Sequence, residues 1–251
     1  PVLINPSLAW GDSERFQGER FEVLGMPTAG TFAEYIVLPE ENVVDRPAHL
    51  NDAEAAALPL AGLTAYRALV SRAGAGAGDR VLVTGIGGGV ALCAMQFALA
   101  LGASVYVTSG SDAKLARAAE MGAEGGANYR DERWDGKLKE AAGAFDVIID
   151  SACGPGFGKL VGLADMGGRI VFFGGTAGPI EKLDPFAVFW RQISILGSTM
   201  GSPSDFADML NLVETHRIVP VVDREYPLAE GNAALERMQA GEQFGKIILT
   251  I

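Results

Sequence analysis

The residues of this chain that could do chemistry gather around one glycine string. Gly85, Gly87, Gly88 and Gly89 stand behind the apolar run 80–84 and ahead of apolar residues at helical spacing, Val90, Cys93, Ala94, Phe97 and Leu101. Glycines at such a turn let the backbone approach a pyrophosphate, and the N–H groups opening the next helix face its negative charge. Read from Ile86, the string Ile86-Gly87-Gly88-Gly89-Val90-Ala91 fits a dinucleotide fingerprint at Gly88 and at Ala91, and departs from it at Ile86. The chemistry implied is the binding of a phosphate-linked dinucleotide, with Gly88, Gly89 and Val90 against the phosphates. An ordinary strand-to-helix turn is the competing reading, and the apolar strands on both sides weigh against it.

A second group follows the strand expected at 104–108. Folds that select NAD usually place a carboxylate at this strand end to bind the ribose 2′-hydroxyl. Here the chain reads Thr108-Ser109-Gly110-Ser111, and the first acid, Asp112, falls in the opening turn of the next helix, where it complements the dipole. Small hydroxyls with Lys114 nearby suit a 2′-phosphate, so the cofactor expected is NADP(H). A solvated helix lysine is the alternative for Lys114. Gly174-Gly175-Thr176 follows another strand end, where open α/β sheets bind ligands, which marks Gly174 and Thr176 as further cofactor contacts. His49 and His216 lack Cys or His neighbours at ligand spacing and read as surface or packing residues. Asp150 reads as a strand-end hydrogen-bonding residue, and Ser151 and Cys153 lack the His that a nucleophile needs. No catalytic acid is nameable, and that role stays empty.

The segments VLVTGIGGGVALCAMQFALALGA, LPLAGLTAYRAL upstream and GANY downstream resemble the medium-chain dehydrogenase/reductase superfamily, most of all its zinc-independent quinone oxidoreductase-like branch. The resemblance runs from about Pro1 to Ile251. It implies that Thr64 lies near the nicotinamide and that Lys114 and Tyr129 contact the 2′-phosphate. The plainer alternatives are a helical Thr bonding its own backbone and a strand-end aromatic packed on the sheet. Many zinc-dependent relatives carry a zinc-ligand cysteine where this chain has Leu60, and a four-cysteine lobe ahead of it, whereas the first cysteine here is Cys93. No metal site is therefore expected. Hydride transfer to a quinone or an α,β-unsaturated carbonyl is the activity implied. The alternatives are a non-catalytic dinucleotide-binding member and an alcohol dehydrogenase-like enzyme. Relatives often dimerise through the last strand of the nucleotide-binding sheet, and apolar Ile193, Ile195 and Leu196 suit a homodimer.

The elements that must position these residues form an α/β chain. The expectation is a Rossmann doubly wound parallel sheet plus part of a mostly-β chaperonin-10-like catalytic domain. Residues 1–50 would be the partial catalytic domain, 51–215 the nucleotide-binding domain and 216–251 the return to the catalytic domain. Strands are expected at 30–38, 80–84, 104–108, 145–150, 169–173, 193–197 and 246–251, with a turn at Met166-Gly167-Gly168. Helices are expected after Asn51 or Asp52, at 60–71, at 90–101, at 156–165, after Ser202-Pro203 and at 229–240. Phe186, Phe189 and Trp190 read as core or interface aromatics.

Composition sets the remaining bounds. In 251 residues, 49% hydrophobic, there is ample material for a large core in one or two domains. The net charge of -11 argues against nucleic acid or an anionic membrane as partner and leaves a small-molecule substrate. Two cysteines, both in apolar segments, read as buried thiols and suit a cytoplasmic, reducing setting. No apolar run has transmembrane length. The chain opens at Pro1 within a strand-like segment, so a fragment of a longer protein is expected, with much of the substrate pocket in the missing part.

Overall fold

Short apolar stretches broken by turn residues can pair only in small pieces, and the first 45 residues do so. The computed structural model describes residues 1–251. It begins with four short strands, β1 (Val2–Ile4), β2 (Ser7–Leu8), β3 (Glu22–Val23) and β4 (Val43–Asp45). β1 pairs antiparallel with β4, and β2 with β3. The strand expected at 30–38 does not form. That stretch is irregular, with Phe32, Tyr35 and Val37 exposed. Its β-branched and aromatic content suits a strand, but a strand needs a neighbour for its backbone hydrogen bonds, and no ladder partner reaches it.

The chain divides into two compact units, one of Pro1–Leu63 with Met200–Ile251 and one of Thr64–Thr199. In the first, the helix Asp52–Ala57 is capped by Asn51, which forms a capping box with Glu54 and so settles the choice between Asn51 and Asp52. Ser202 does the same with Asp205 for the helix Pro203–Thr215, which buries Phe206, Met209 and Val213 and leaves Leu210 half-buried. β11 (Val222–Pro227) and β12 (Lys246–Thr250) pair in parallel, with the helix Gly231–Gln239 between them in sequence.

The second unit holds six parallel strands, β5 (Arg80–Val83), β6 (Ser104–Ser109), β7 (Gly125–Asn128), β8 (Phe145–Asp150), β9 (Ala164–Phe172) and β10 (Ser194–Gly197). Their order across the sheet is β10-β9-β8-β5-β6-β7. Counted in chain order from β5, this is the 3-2-1-4-5-6 order of a doubly wound dinucleotide fold. Central strands buried on both faces carry continuous apolar runs, here Val81, Leu82 and Val83 beside Val147, Ile148 and Ile149. Leu82, Phe145, Ile148, Phe157, Leu160 and Ile170 join one core. The helix Gly89–Ala100 buries Leu92 and Met95 as well as Cys93, Ala94 and Phe97, so it is covered on more than the single face expected.

Local details differ from the sequence reading. The turn expected at 166–168 lies within β9 as a wide bulge. Phe145 pairs with Ala164 and Val147 with Arg169, so four residues of β9 loop out opposite one of β8, with Gly167 at φ +69°. The helix expected at 60–71 runs from Pro59 to Tyr66 and then widens into a π-helical stretch, Arg67–Arg72. Both cysteines are free, but only Cys93 is buried; Cys153 is partly exposed. Phe186, Phe189 and Trp190 are exposed and so are not core. No helix is long and apolar enough to cross a membrane.

In the first unit, Asp223 on β11 accepts from Arg237 Nε at 2.7 Å and Nη2 at 3.1 Å, and from the Phe244 amide at 2.9 Å. Burial opposes its ionisation, but the Arg237 and Phe244 bonds and the nearby arginines outweigh it and hold the carboxyl below its ordinary value. A depressed native pKa gives stability that is present above the unfolded value, about 3.9, and is lost as pH falls through the native one. Asp223→Asn is therefore expected to be less stable than the parent at pH 7, with the gap narrowing below about pH 4. Urea denaturation at several pH values checks this, and a gap that does not change with pH contradicts it.

Candidate functional site

A parallel strand that must turn at once into a helix has few backbone solutions. Here β5 ends at Val83, Thr84 follows, and the chain turns through Gly85 at φ +68° and Gly87 at φ +116°. Both conformations are ones that side chains rarely adopt. Gly88 is the N-cap of the helix Gly89–Ala100, and no side chain caps it. The first backward bond is from Leu92 N to Gly88 O, so the amides of Gly89 and Val90 open the helix with no intrahelical partner. The turn is held from β6: Ile86 N donates to Thr108 O at 2.7 Å, Gly85 N to Thr108 Oγ1 at 3.3 Å, and Ser109 Oγ to Ile86 O at 3.3 Å.

Most of the residues singled out in the sequence meet at this turn. Lys114 lies across Gly87: a Cβ there would stand 2.7 Å from Lys114 Cδ and 3.2 Å from its Nζ. The Tyr129 ring lies against Gly110, where a Cβ would come within 2.8 Å of its hydroxyl. Tyr129 N donates to Ser109 O, and Ser111 N donates to Ser109 Oγ. Asp112 is the first residue of its helix, as expected, and accepts from Asn128 Nδ2 at 2.8 Å. The glycines of the turn, the hydroxyls at the β6 end, one cation and one phenol thus form a single surface on this side of β5.

On the other side of β5 a second group forms at the ends of β8 and β9. Thr176 donates through N and Oγ1 to Ser151 O, each at 3.4 Å, and Cys153 Sγ donates to Gly174 O at 3.2 Å. Gly174 packs so closely that a Cβ would stand 2.9 Å from Ser151 O. Ser151 Oγ in turn faces Gly85, 3.7 Å from where a Cβ would be. Cys153 sits at φ +54°, and burial, then the Asp150 charge, push its thiol above its ordinary pKa, which disfavours the thiolate a nucleophile needs. Thr64 is buried, 6% exposed, on the helix Pro59–Tyr66. Asp150 is the strand-end hydrogen-bonding residue expected from the sequence, but its partner Thr84 lies 66 residues away, beyond any local pattern.

A dinucleotide fits these residues, since the glycine turn leaves room where side chains would collide and presents amide donors. A zinc ion does not. No three His, Cys, Asp or Glu side chains of this chain come together, and the Leu60 side chain has no donor atom.

Residues 89–215 match the family model described as zinc-binding dehydrogenase. The chain is 39% identical over 233 residues to the zinc-type alcohol dehydrogenase-like protein YogA of Leptosphaeria maculans, covering 88% of this chain and 65% of that protein. It is 32% identical to the quinone oxidoreductase of Mus musculus, covering 89% of this chain and 70% of that protein. Among solved structures, an NAD-dependent alcohol dehydrogenase superposes with a TM-score of 0.93 at 37% identity, covering all of this chain and 75% of that one. The 2-octenoyl-CoA carboxylase reductase CinF, solved with NADP and 2-octenoyl-CoA, superposes with a TM-score of 0.90 at 27% identity, covering 99% of this chain and 62% of that one. This chain thus spans about two thirds of the length of its curated relatives. With the strand order, the glycine turn and these matches together, the chain belongs to the zinc-binding dehydrogenase family of the medium-chain dehydrogenase/reductase superfamily, which has both alcohol dehydrogenase-like and quinone oxidoreductase-like members.

Proposed function

We propose that this chain is the dinucleotide-binding part of an NADPH-dependent oxidoreductase that reduces a quinone, or the β-carbon of an α,β-unsaturated carbonyl, without zinc. The observation that carries this is Lys114 lying across Gly87 and Tyr129 against Gly110, with hydroxyls at Ser109 and Ser111 and no carboxylate within the β6 end itself. An ammonium with hydroxyl and amide donors suits a 2′-phosphate, whereas the acid that would pair with a 2′-hydroxyl is absent from that strand end. The NADP-bound relative supports the phosphate, and the relative described as NAD-dependent supports the competing choice of NADH.

When bound, the reduced nicotinamide supplies a hydride. The chain's own part is to bind and orient. Gly88, Gly89 and Val90 would hold the pyrophosphate at the helix N-terminus. Gly174 and Thr176, at the β9 end, and Thr64 would line the nicotinamide side. Alcohol oxidation needs the hydroxyl proton removed, which a metal assists by acidifying it, and the side chains present do not fit a metal. A quinone or enone is already electrophilic and asks mainly for orientation and a hydrogen bond to its oxygen. No residue of this chain is assigned as the proton donor. Activity, substrate and partners of the whole protein all belong to this proposal.

A homodimer through the β10 edge is part of the same reading. The helix Pro185–Trp190 precedes that edge strand in the chain, and its Phe186, Phe189 and Trp190 are 55%, 61% and 67% exposed, with Phe186 stacked on Trp190 at 5.5 Å. An unpaired edge and an exposed aromatic cluster both suit a self-complementary contact.

NADPH is expected to bind more tightly than NADH in fluorescence titrations, and Lys114→Ala to weaken NADPH by on the order of 1–3 kcal/mol while leaving NADH nearly unchanged. Equal affinities in the parent contradict the cofactor assignment. Initial rates of NADPH oxidation against quinones, enones and saturated carbonyls test the reaction, and fast alcohol oxidation lost on chelation would overturn it. Gly88 is at φ -77° and a Cβ there would meet only Gly85 O, at 3.9 Å. Gly88→Ala should therefore keep the parent's melting temperature yet weaken NADPH by about tenfold or more, because the methyl blocks the pyrophosphate. Unchanged affinity would place the phosphates elsewhere. Light scattering at micromolar concentration is expected to give the mass of two chains, and a monomer counts against the dimer.

A further inference from the structure

Asp150 is 2% exposed, at the C-terminal end of β8. Burying a carboxylate is costly unless its oxygens are well hydrogen-bonded. Its donors here are all neutral: Thr84 Oγ1 at 2.6 Å on Oδ1, and the amides of Cys153 at 2.7 Å and Ala152 at 3.2 Å on Oδ2. They come from two separate loops. Thr84 adjoins Gly85 at the start of the glycine turn, while Ala152 and Cys153 follow β8. The second loop then carries a third, because Ser151 O accepts from Thr176, Cys153 Sγ donates to Gly174 O, and Ala152 O accepts from Ala177 N at 2.9 Å.

The sheet order gives this clamp a side. β6 and β7, with Ser109, Lys114 and Tyr129, lie on one side of β5, and β8 and β9 lie on the other. A dinucleotide bound where the strand order reverses straddles β5, with its adenosine half over β6 and its nicotinamide half over β8 and β9. Resting on the dinucleotide reading above, we propose that Asp150 is a positioning residue for the nicotinamide half. By clamping Thr84 to the Ala152 and Cys153 amides, it fixes the Gly174–Thr176 loop relative to the glycine turn.

The test compares two probes on this chain by titration calorimetry, NADPH and adenosine 2′,5′-bisphosphate, which carries only the adenosine half. Asp150→Ala is expected to raise the Kd for NADPH about tenfold and to leave the Kd for the bisphosphate within about twofold. Asp150→Asn is expected to recover most of the loss, since its carbonyl can still accept the two amides and its amide can donate to Thr84 Oγ1. Should Asp150→Ala fail to fold, Thr84→Val carries the same comparison, with a smaller NADPH-selective loss that Thr84→Ser reverses. Parent-like NADPH binding in Asp150→Ala, or in Thr84→Val where that variant stands in for it, overturns the assignment, as does equal weakening of both probes, which marks a merely structural role. A parent chain that binds neither probe overturns the dinucleotide reading, and this assignment with it.

Discussion

Everything at this site depends on how a parallel strand is allowed to stop. β5 must turn into the helix Gly89–Ala100 across residues 84–88, and it does so with two glycines in positive-φ conformations. Side chains at Gly85 or Gly87 would strain the backbone, and at Gly87 would also collide with Lys114. The same constraint leaves the turn bare. A helix N-terminus without a side-chain cap meets glycines that carry no side chains of their own, and that backbone is what a phosphate group can approach. Packing secures it from behind, where Leu82, Leu92 and Phe97 are almost wholly buried.

The electrostatics run on two scales. The chain as a whole is strongly acidic, with a net charge of -11, which disfavours the distant approach of an anionic cofactor. Screening confines that penalty to about 8 Å at physiological salt, so contacts inside the site decide the outcome. There the local pattern is different: Lys114 lies over Gly87, and Asp112 is turned to Asn128. The Asp150 charge is buried behind the turn and answered by three donors. Charge is thus arranged so that cation and amides face the site while the carboxylates are engaged elsewhere.

Much of this was legible in the sequence because it is local. The β5 run, the glycine turn and the helix starts after Asn51 and after Ser202-Pro203 each rest on residues a few positions apart. What failed depends on distant partners. Residues 30–38 have strand composition but nothing to pair with, and the bulge in β9 is a matter of register with β8. Cys153 sits in an apolar stretch, yet the left-handed turn that places its amide on Asp150 leaves it half-exposed. The Thr84–Asp150 bond joins residues 66 positions apart, and only the sheet order brings them together.

We propose that a 2′-phosphorylated dinucleotide lies over the 85–90 turn with its phosphate-bearing ribose at the β6 end. A crystal structure of this chain grown with NADP+ tests it most directly. The expected result is pyrophosphate oxygens within hydrogen-bonding distance of the Gly89 and Val90 amides, and a 2′-phosphate at Lys114 Nζ with Tyr129 beside it. Density that places the dinucleotide away from the turn, or its 2′-phosphate facing away from Lys114, would contradict the account.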